Sequence, residues 1–411
     1  MLGVKTGLER IANRAIITRV CQANLTDAWQ TLKGSNSPEH RLGDPVWEKD
    51  TADPAETADL SNLCIFVIYA SQPSLSTLSY LQSLKDAGFE IVAINNTTTS
   101  EEFLSKLKGI CLRVYNRQNI GRDIGAFKDG IMTLYAEGLL QRCKFLCLAN
   151  DSMQFIPGRN GQSFTAHIAK FIKEDSGALF THQSHQISKH YQSYFQILDR
   201  DIINSKAFYT FWRNYRPLSH REHCIHKGEL ELSSKVYNHL SKTTILYTSA
   251  ALLEALNDEK VGDKITADSI LGIMPSIART KQGKNYSYAL EQLSHAAMLN
   301  KPLDQLCEHY LAEIIEYSNP SHVAAFLYPL YLSCPLIKHD ICFAGSFSVG
   351  KALLLFDKVL CTAGIEPGER VARNQEFFTL INTKGIPMDY RNNPIQRALK
   401  GVTNGFEYYT G

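Results

Sequence analysis

Apolar and polar positions alternate along residues 61–150 in a pattern of buried strands and amphipathic helices. Residues 63–69 are a continuous apolar run of the kind found in strands buried on both faces of a parallel sheet. Leucines then recur at helical spacing from Leu75 to Leu84, and Gly88 predicts the end of that helix. Further strands are predicted at residues 89–94, 112–115 and 144–149, with helices at 101–107 and 123–136. Strands alternating with helices through short connections predict an α/β fold with a Rossmann-like sheet of parallel strands.

The alternation becomes less regular beyond residue 151. Here the pattern predicts strands at residues 178–181 and 244–247, and helices at 163–174, 205–212 and 230–240. From about residue 250 onward it predicts mostly helices, at residues 265–274, 287–298, 303–317, 323–328 and 349–363. We therefore expect an amino-terminal arm or linker (1–60), a core domain (61–250) and a mainly helical carboxyl-terminal region (251–411) whose last residues, 384–411, form a trailing extension.

Composition narrows the class of protein. The 411 residues carry 43 Lys and Arg against 41 Asp and Glu, which argues against a broad basic footprint for nucleic acid. Ten cysteines are scattered without a CxxC pair, as is usual for reduced thiols in the cytoplasm. The amino terminus shows no signal pattern, and the longest apolar run is far short of the ~20 residues that span a bilayer. We expect a cytoplasmic chain with no transmembrane segment, while contact with a membrane surface stays open.

The candidate chemistry is concentrated in residues 116–152. Asn119, Gly121, Asp123 and Gly125 form a polar, glycine-containing turn that opens a helix, and the amino end of a helix favours an anion. The strand at 144–149 ends in Asn150-Asp151-Ser152. Together these stretches predict a phosphate-bearing ligand at the carboxyl ends of parallel strands, with Asp151 in reach of a metal ion or the ligand. Asn and Asp are also common turn residues for purely local reasons.

Two other classes of site fit the sequence poorly. A dehydrogenase needs Gly-x-Gly-x-x-Gly after the first strand, and residues 69–73 read Tyr-Ala-Ser-Gln-Pro. Several His and Cys residues come close to zinc-ligand spacing but lack a second Cys or His pair at a defined distance; they are His182, His185, His190, His220, His223, Cys224 and His226. We therefore predict neither a nicotinamide cofactor nor a structural zinc ion.

Four stretches carry a resemblance to a known family. They are Asn119-x-Gly121-x-Asp123-x-Gly125 before a helix; the strand ending Asn150-Asp151-Ser152; residues 190–195, His-Tyr-Gln-Ser-Tyr-Phe, followed by Phe211-Trp212; and Asn319-Pro320-Ser321-His322, followed by residues 334–338, Cys-Pro-Leu-Ile-Lys. In this order and spacing, across residues 62–340, the chain resembles the rhamnan synthesis protein F family of bacterial polysaccharide-assembly glycosyltransferases.

The resemblance implies a GT-A-like glycosyltransferase with a nucleotide-sugar donor. Such an enzyme transfers a sugar, here rhamnose or another deoxyhexose, with inversion to a growing polysaccharide or O-antigen. The acceptor would be a saccharide or a lipid-linked saccharide at the inner face of the membrane. These enzymes usually carry Asp-x-Asp for a divalent cation, whereas this chain has Asn150-Asp151-Ser152 with one carboxylate. Asp151 is the candidate ligand for Mg²⁺ or Mn²⁺.

The expected site residues follow from the chemistry of glycosyl transfer, which needs a base for the acceptor hydroxyl and stabilisation of the departing diphosphate. Residues 226–233 resemble the Glu-Asp-x-x-Leu segment of inverting transferases, with Glu229 as the base and Asp123 as a second candidate. A carboxylate at a helix start is also favoured by the dipole alone. The predicted donor contacts are Asn95, Asn119, Gly121, Arg122, Asn150 and Asp151, and the predicted acceptor or sugar contacts are His190, Gln192 and Trp212. An alternative function is a non-catalytic saccharide- or nucleotide-binding component of the same assembly system.

Overall fold

The computed structural model describes residues 42–49, 61–174, 176–219, 221–257, 266–275, 283–299, 305–342 and 347–383. Only residues 42–49 of the predicted amino-terminal arm fall within these ranges. The predicted extension at 384–411 lies outside the described residues.

The centre of the molecule is an eight-stranded mixed sheet with the strand order β1-β4-β3-β2-β5-β10-β7-β11. In chain order the strands of the protein are β1 Trp47–Glu48, β2 Asn62–Ile68, β3 Glu90–Asn95, β4 Arg113–Asn116, β5 Phe145–Asn150, β6 Met153–Phe155, β7 Ala178–Phe180, β8 Gln183–Ser184, β9 His190–Tyr191, β10 Phe195–Asp199, β11 Thr243–Ile245 and β12 Leu336–Lys338. Strands β4, β3, β2 and β5 are parallel, which confirms the predicted core. The prediction missed β1 and β10, which run antiparallel to their neighbours.

Helices cover both faces of this sheet. They are α1 Leu75–Asp86, α2 Glu101–Lys108, α3 Arg122–Ala136, α4 Leu139–Arg142, α5 Gly158–Glu174, α6 Arg200–Ile203, α7 Lys206–Asn214, α8 Arg221–His223, α9 Glu231–Lys235, α10 Ser249–Asn257, α11 Ala267–Ile273, α12 Gly283–Met298, α13 Gln305–Tyr317, α14 Pro320–Val323, α15 Leu327–Tyr331, α16 Val349–Thr362 and α17 Pro367–Thr383. A π-helix, Cys224–Leu230, joins α8 to α9. The helix predicted at 230–240 therefore begins earlier than expected, and α17 was not predicted.

The first strand of the parallel core shows how the sequence builds two cores. Side chains alternate between the two faces of a strand. Cys64, Phe66 and Ile68 of β2 pack in one apolar cluster with α1 and α5. Leu63, Ile65 and Val67 pack in a second cluster with α3 and α7. An apolar residue at every position is what a strand covered on both faces requires.

The carboxyl-terminal helices enlarge the first of these clusters. Apolar residues of α13, α16 and α17 share it with β2 and α1, so the helical region packs directly onto one face of the sheet. Phe356 and Phe377 hold α16 against α17, with ring centroids 4.3 Å apart. The mixed α/β architecture with a helical carboxyl-terminal region is thus as predicted. No helix of the described ranges has the length and apolar character needed to cross a membrane.

Candidate active site

The polar turn before α3 is shaped by two glycines. Gly121 has a positive φ of 74°, and a Cβ there would lie 2.3 Å from Cβ of Pro217. A Cβ at Gly125 would lie 2.2 Å from the carbonyl oxygen of Ile120. Both contacts are too short for a side chain, so the Gly-x-x-x-Gly spacing lets the turn close tightly against residue 217. Arg122 also has a positive φ, 56°, which is uncommon for a residue with a side chain and is concentrated at functional sites.

This turn brings Asp123 to the carboxyl end of β5. Asn150 Nδ2 donates to Asp123 Oδ2 at 2.9 Å, and the backbone N–H of Ile124 donates to Asp123 Oδ1 at 3.0 Å. Asn150 is itself held by Ser152, whose hydroxyl donates to Asn150 Oδ1 at 2.6 Å. Burial raises the pKa of the Asp123 carboxyl group above its usual value; the guanidinium of Arg122 opposes this rise and Glu229 adds to it. Two segments singled out in the sequence therefore meet in one hydrogen-bonded unit.

Asp151 follows at the same edge of the sheet but supports the backbone. Its Oδ2 accepts a hydrogen bond from the N–H of Tyr69 at 2.8 Å, which ties the end of β5 to the loop after β2. No group of three or more His, Cys, Asp or Glu side chains in the described ranges could hold a metal ion. Because the carboxylates of Asp123 and Asp151 are engaged with the protein itself, this donor set does not fit a resident cation, and we derive no step through one.

Glu229 lies in the last turn of the π-helix, close enough to Asp123 to raise the pKa of that carboxyl group. Single π-helical turns are frequent at functional sites. A Cβ at Gly228 would lie 2.9 Å from Ile124, so the π-helix packs closely against the start of α3. The side chain of Glu229 is 17% exposed, and its Oε2 accepts from the N–H of Ser193 at 3.0 Å. Its carboxylate is thus fixed by the backbone and still accessible to solvent.

His190 completes the surroundings of Glu229. Its Nδ1 donates to the carbonyl oxygen of Ser188 at 2.7 Å, which orients Nε2 towards Gln192 and Glu229. Gln192 Nε2 lies 3.2 Å from His190 Nε2, and Glu229 Oε1 lies 3.5 Å from the same nitrogen. The predicted base and the predicted acceptor contacts His190 and Gln192 are therefore neighbours.

The remaining predicted residues lie farther from this cluster or inside the fold. Asn95 is buried and donates to the carbonyl oxygen of Ala70 at 2.6 Å, so it fixes a loop. Oδ1 of Asn119 is buried and accepts no hydrogen bond from any residue that the structure describes. Trp212 is fully buried, against Phe211 and Tyr215, and presents no face to solvent.

Two cations near Arg122 are held by contacts within the fold. Arg117 forms a buried ion pair with Asp129 at 2.7 Å. Lys128 is buried and donates to the carbonyl oxygens of Arg213 and Tyr215. Of Arg117, Arg122 and Lys128, only Arg122 is a predicted donor contact. It lies half-buried beside Asp123.

A further wall of the site comes from the carboxyl-terminal region and was not predicted. β12 pairs with β6, and the N–H of His339 donates to the carbonyl oxygen of Ser152 at 3.1 Å. Asp340 lies 2.9 Å from Nε2 of His322 and 3.6 Å from Nη2 of Arg221. Burial alone would raise the pKa of Asp340, but His322, Lys338 and Arg221 lower it well below its usual value. The signal was present in the sequence, since His322 and Lys338 end the two parts of the fourth stretch described above.

Comparison with known proteins bears on the same part of the chain. Residues 91–260 match a family model described as rhamnan synthesis protein F. The resemblance is confirmed over that segment. It contains Asp123, Asn150 and Glu229, whereas Lys338 and Asp340 lie beyond it. The uncharacterized protein y4gN of Sinorhizobium fredii is 24% identical over 203 residues, which cover 49% of this chain and 52% of that protein. The chain thus spans about half the length of this curated relative.

Proposed function

We propose that this protein is an inverting glycosyltransferase of polysaccharide synthesis. It would transfer rhamnose or another deoxyhexose from a nucleoside-diphosphate sugar to a saccharide or lipid-linked saccharide acceptor, on a GT-A-type sheet. The family match at residues 91–260 supports a role in the synthesis of rhamnan or a related polysaccharide. An acceptor presented at the inner face of the membrane belongs to the same proposal.

The observation that carries the proposal is the setting of Glu229. A general base must lie within hydrogen-bond reach of the acceptor hydroxyl and be held in place. Glu229 is held by the N–H of Ser193 and flanked by His190, and it remains partly exposed. In the transfer step its carboxylate would take the proton of the acceptor hydroxyl as that oxygen attacks the sugar from the side opposite the diphosphate.

The donor would lie over the carboxyl ends of β2, β3 and β5. In open α/β sheets, ligands bind in the crevice outside those ends. Asn150, held between Asp123 and Ser152, would be a rigid contact for the sugar, and Arg122 would supply positive charge at the amino end of α3. Gly121 and Asn119 would border the nucleotide.

The test separates binding from transfer with the variant Glu229→Gln. The amide keeps an oxygen that can accept from Ser193 but cannot take a proton. We expect transfer from dTDP-rhamnose, UDP-sugars or GDP-sugars to fall by about 100-fold or more, while the donor dissociation constant by calorimetry stays the same. The matched control is Glu231→Gln, two residues along, where Glu231 pairs with Lys227 and Lys235 at the surface. Equal transfer by both variants would remove Glu229 from the role of base.

The alternative, a non-catalytic binding component, is supported by a specific observation. Both carboxylate oxygens of Asp123 and one of Asp151 accept hydrogen bonds from the protein itself, as structural side chains do. Under this alternative the wild-type protein binds a nucleotide sugar or a saccharide and transfers nothing, and Glu229→Gln changes neither property.

A further inference from the structure

The carboxyl-terminal region contributes a rigid segment to the edge of the site. β12 is antiparallel to β6, and Lys338 is paired with Met153. Because Met153 follows Asp151 closely in the sequence, this pairing places Lys338 near Asp151. The next residue, His339, donates its N–H to the carbonyl oxygen of Ser152. A side chain carried on a paired strand is positioned more firmly than one on a loop.

The charge of this segment is positive. Arg221 and His322 share the carboxylate of Asp340 between them. Lys338 forms no ion pair with a carboxylate of the described chain, and its Nζ lies 5.5 Å from the ring centroid of Tyr194. The carbonyl oxygen of Tyr194 accepts from the N–H of Asn150 at 3.3 Å, so the ammonium group lies against the residue next to Asn150. Burial lowers the pKa of His182 to about 3, and the charge of Lys338 acts in the same direction.

Within the described part of the chain, no group of three or more His, Cys, Asp or Glu side chains at this edge could hold a metal ion. The resemblance implies two carboxylates here, but the chain has Asn150-Asp151-Ser152, and Asp151 Oδ2 accepts from the N–H of Tyr69. A diphosphate that departs from a sugar carries negative charge that must be met in the transition state. Lysine is a suitable point charge for phosphate oxygens.

We propose that Lys338, supported by the Arg221–Asp340–His322 cluster, is the anion-binding wall that receives the diphosphate of the donor without a metal ion. This proposal rests on the proposed function for the identity of the anion. It assigns a role to two sequence stretches, 319–322 and 334–338, that the transfer step itself leaves unused. Arg221 is eight residues before Glu229 in one continuous helical run, so the cluster also links this wall to the proposed base.

The test measures the binding of inorganic pyrophosphate by calorimetry in the presence of EDTA. We expect the wild-type protein to bind, and Lys338→Met to bind about tenfold to 100-fold more weakly, since a charge-assisted contact is lost. Lys338→Arg keeps the charge and should retain most of the affinity. The matched control is Lys144→Met, because Lys144 also lies 5.5 Å from an aromatic ring but at the opposite end of β5. Its binding should equal that of the wild type.

The outcomes distinguish this wall from the transfer reaction. If pyrophosphate binds only when Mg²⁺ or Mn²⁺ replaces EDTA, or if Lys338→Met binds as well as Lys144→Met, the anion-binding wall is refuted even where sugar transfer is observed. If Lys338→Met and Lys338→Arg are both folded and both bind pyrophosphate weakly, the positive charge of residue 338 is not what binds the anion. If Lys338-dependent binding is found but no sugar is transferred, the wall stands and the transferase assignment fails.

Discussion

The carboxylate of Glu376 in α17 caps the amino end of α1. Glu376 of α17 accepts hydrogen bonds from the N–H groups of Leu75 and Ser76 at 2.7 and 3.0 Å, and from the hydroxyl of Ser74 at 3.1 Å. The first N–H groups of a helix have no partner within the helix, and an anion there is favoured by the helix dipole. This contact joins residues about 300 positions apart, as the separation of the bonded pairs shows. We predict that Glu376→Ala destabilises the whole fold.

The size of the effect follows from the burial of the two amides. Leu75 is 43% exposed, so water replaces the carboxylate there at small cost, whereas Ser76 is buried. Leaving one buried amide without a partner costs about 1–3 kcal/mol, and losing the charge at the helix end costs about 0.3–1 kcal/mol. We therefore expect Glu376→Ala to lower the free energy of unfolding by about 2–3 kcal/mol. Glu376→Gln keeps an acceptor oxygen and should cost about 1 kcal/mol.

Urea denaturation followed by circular dichroism gives these free energies by linear extrapolation. The control is Gln375→Ala, an exposed position on the same helix, which should change stability by less than about 0.5 kcal/mol. If Glu376→Ala matches Gln375→Ala, the carboxylate does not hold α1, and the docking of α17 must depend on its other contacts, such as the hydrogen bond from Arg373 Nη2 to Ser79 Oγ and the apolar packing.

Three further predictions concern the site and its supports. Gly125→Ala should lower the free energy of unfolding in urea by more than about 2 kcal/mol, because its Cβ would lie 2.2 Å from a backbone oxygen. The control Gly350→Ala, in open space at the start of α16, should be neutral or stabilising. Equal effects of the two variants would contradict the close packing at Gly125. Arg117→Met leaves Asp129 buried without its cation and should lower the free energy of unfolding by about 3–5 kcal/mol in the same assay. A loss below about 1 kcal/mol would refute the stabilising role of this ion pair. Asp123 has a raised pKa, so its contribution to stability is present below its unfolded pKa near 3.8 and is lost as the pH rises through the folded value. Asp123→Asn should therefore gain stability relative to the wild type as the pH rises above about 4, measured by urea unfolding at several pH values, and a constant difference would refute the shift.

The parallel core could be predicted because its strands carry local signals. Residues 63–68 are apolar at every position, and the helices after β2 and β3 have the capping residues Ser74 and Ser100, whose side chains accept from the third N–H of each helix. Strand β10 lacks such a signal. Gln196 interrupts its apolar run, and only the fold provides the partner of this side chain, the hydroxyl of Tyr237. Burial of a polar residue depends on a contact 41 positions away, which a pattern along the chain does not contain.

Part of the candidate site could also be predicted from local signals, and part depends on contacts between distant segments. Asp123, Asn150 and Asp151 lie at the ends of elements that the pattern locates, so their meeting follows from the topology of parallel strands. Trp212 illustrates the limit, because helical spacing of aromatic residues cannot distinguish a core side chain from one that stacks on a sugar, and here it is fully buried. The wall formed by Lys338 and Asp340 depends on the pairing of β12 with β6, two short strands far apart in the chain.

The two candidate bases are distinguished by their surroundings rather than by their position. Asp123 has both oxygens engaged, one by Asn150 and one by the N–H of Ile124, and burial raises its pKa. Removing a proton from an acceptor with Asp123 would require it to give up a contact that fixes Asn150. Glu229 has one oxygen fixed by Ser193 and the other 3.5 Å from His190, beyond normal hydrogen-bond distance. A base needs an oxygen that is oriented and still able to accept, and for this reason we propose Glu229 as the base and a positioning role for Asp123.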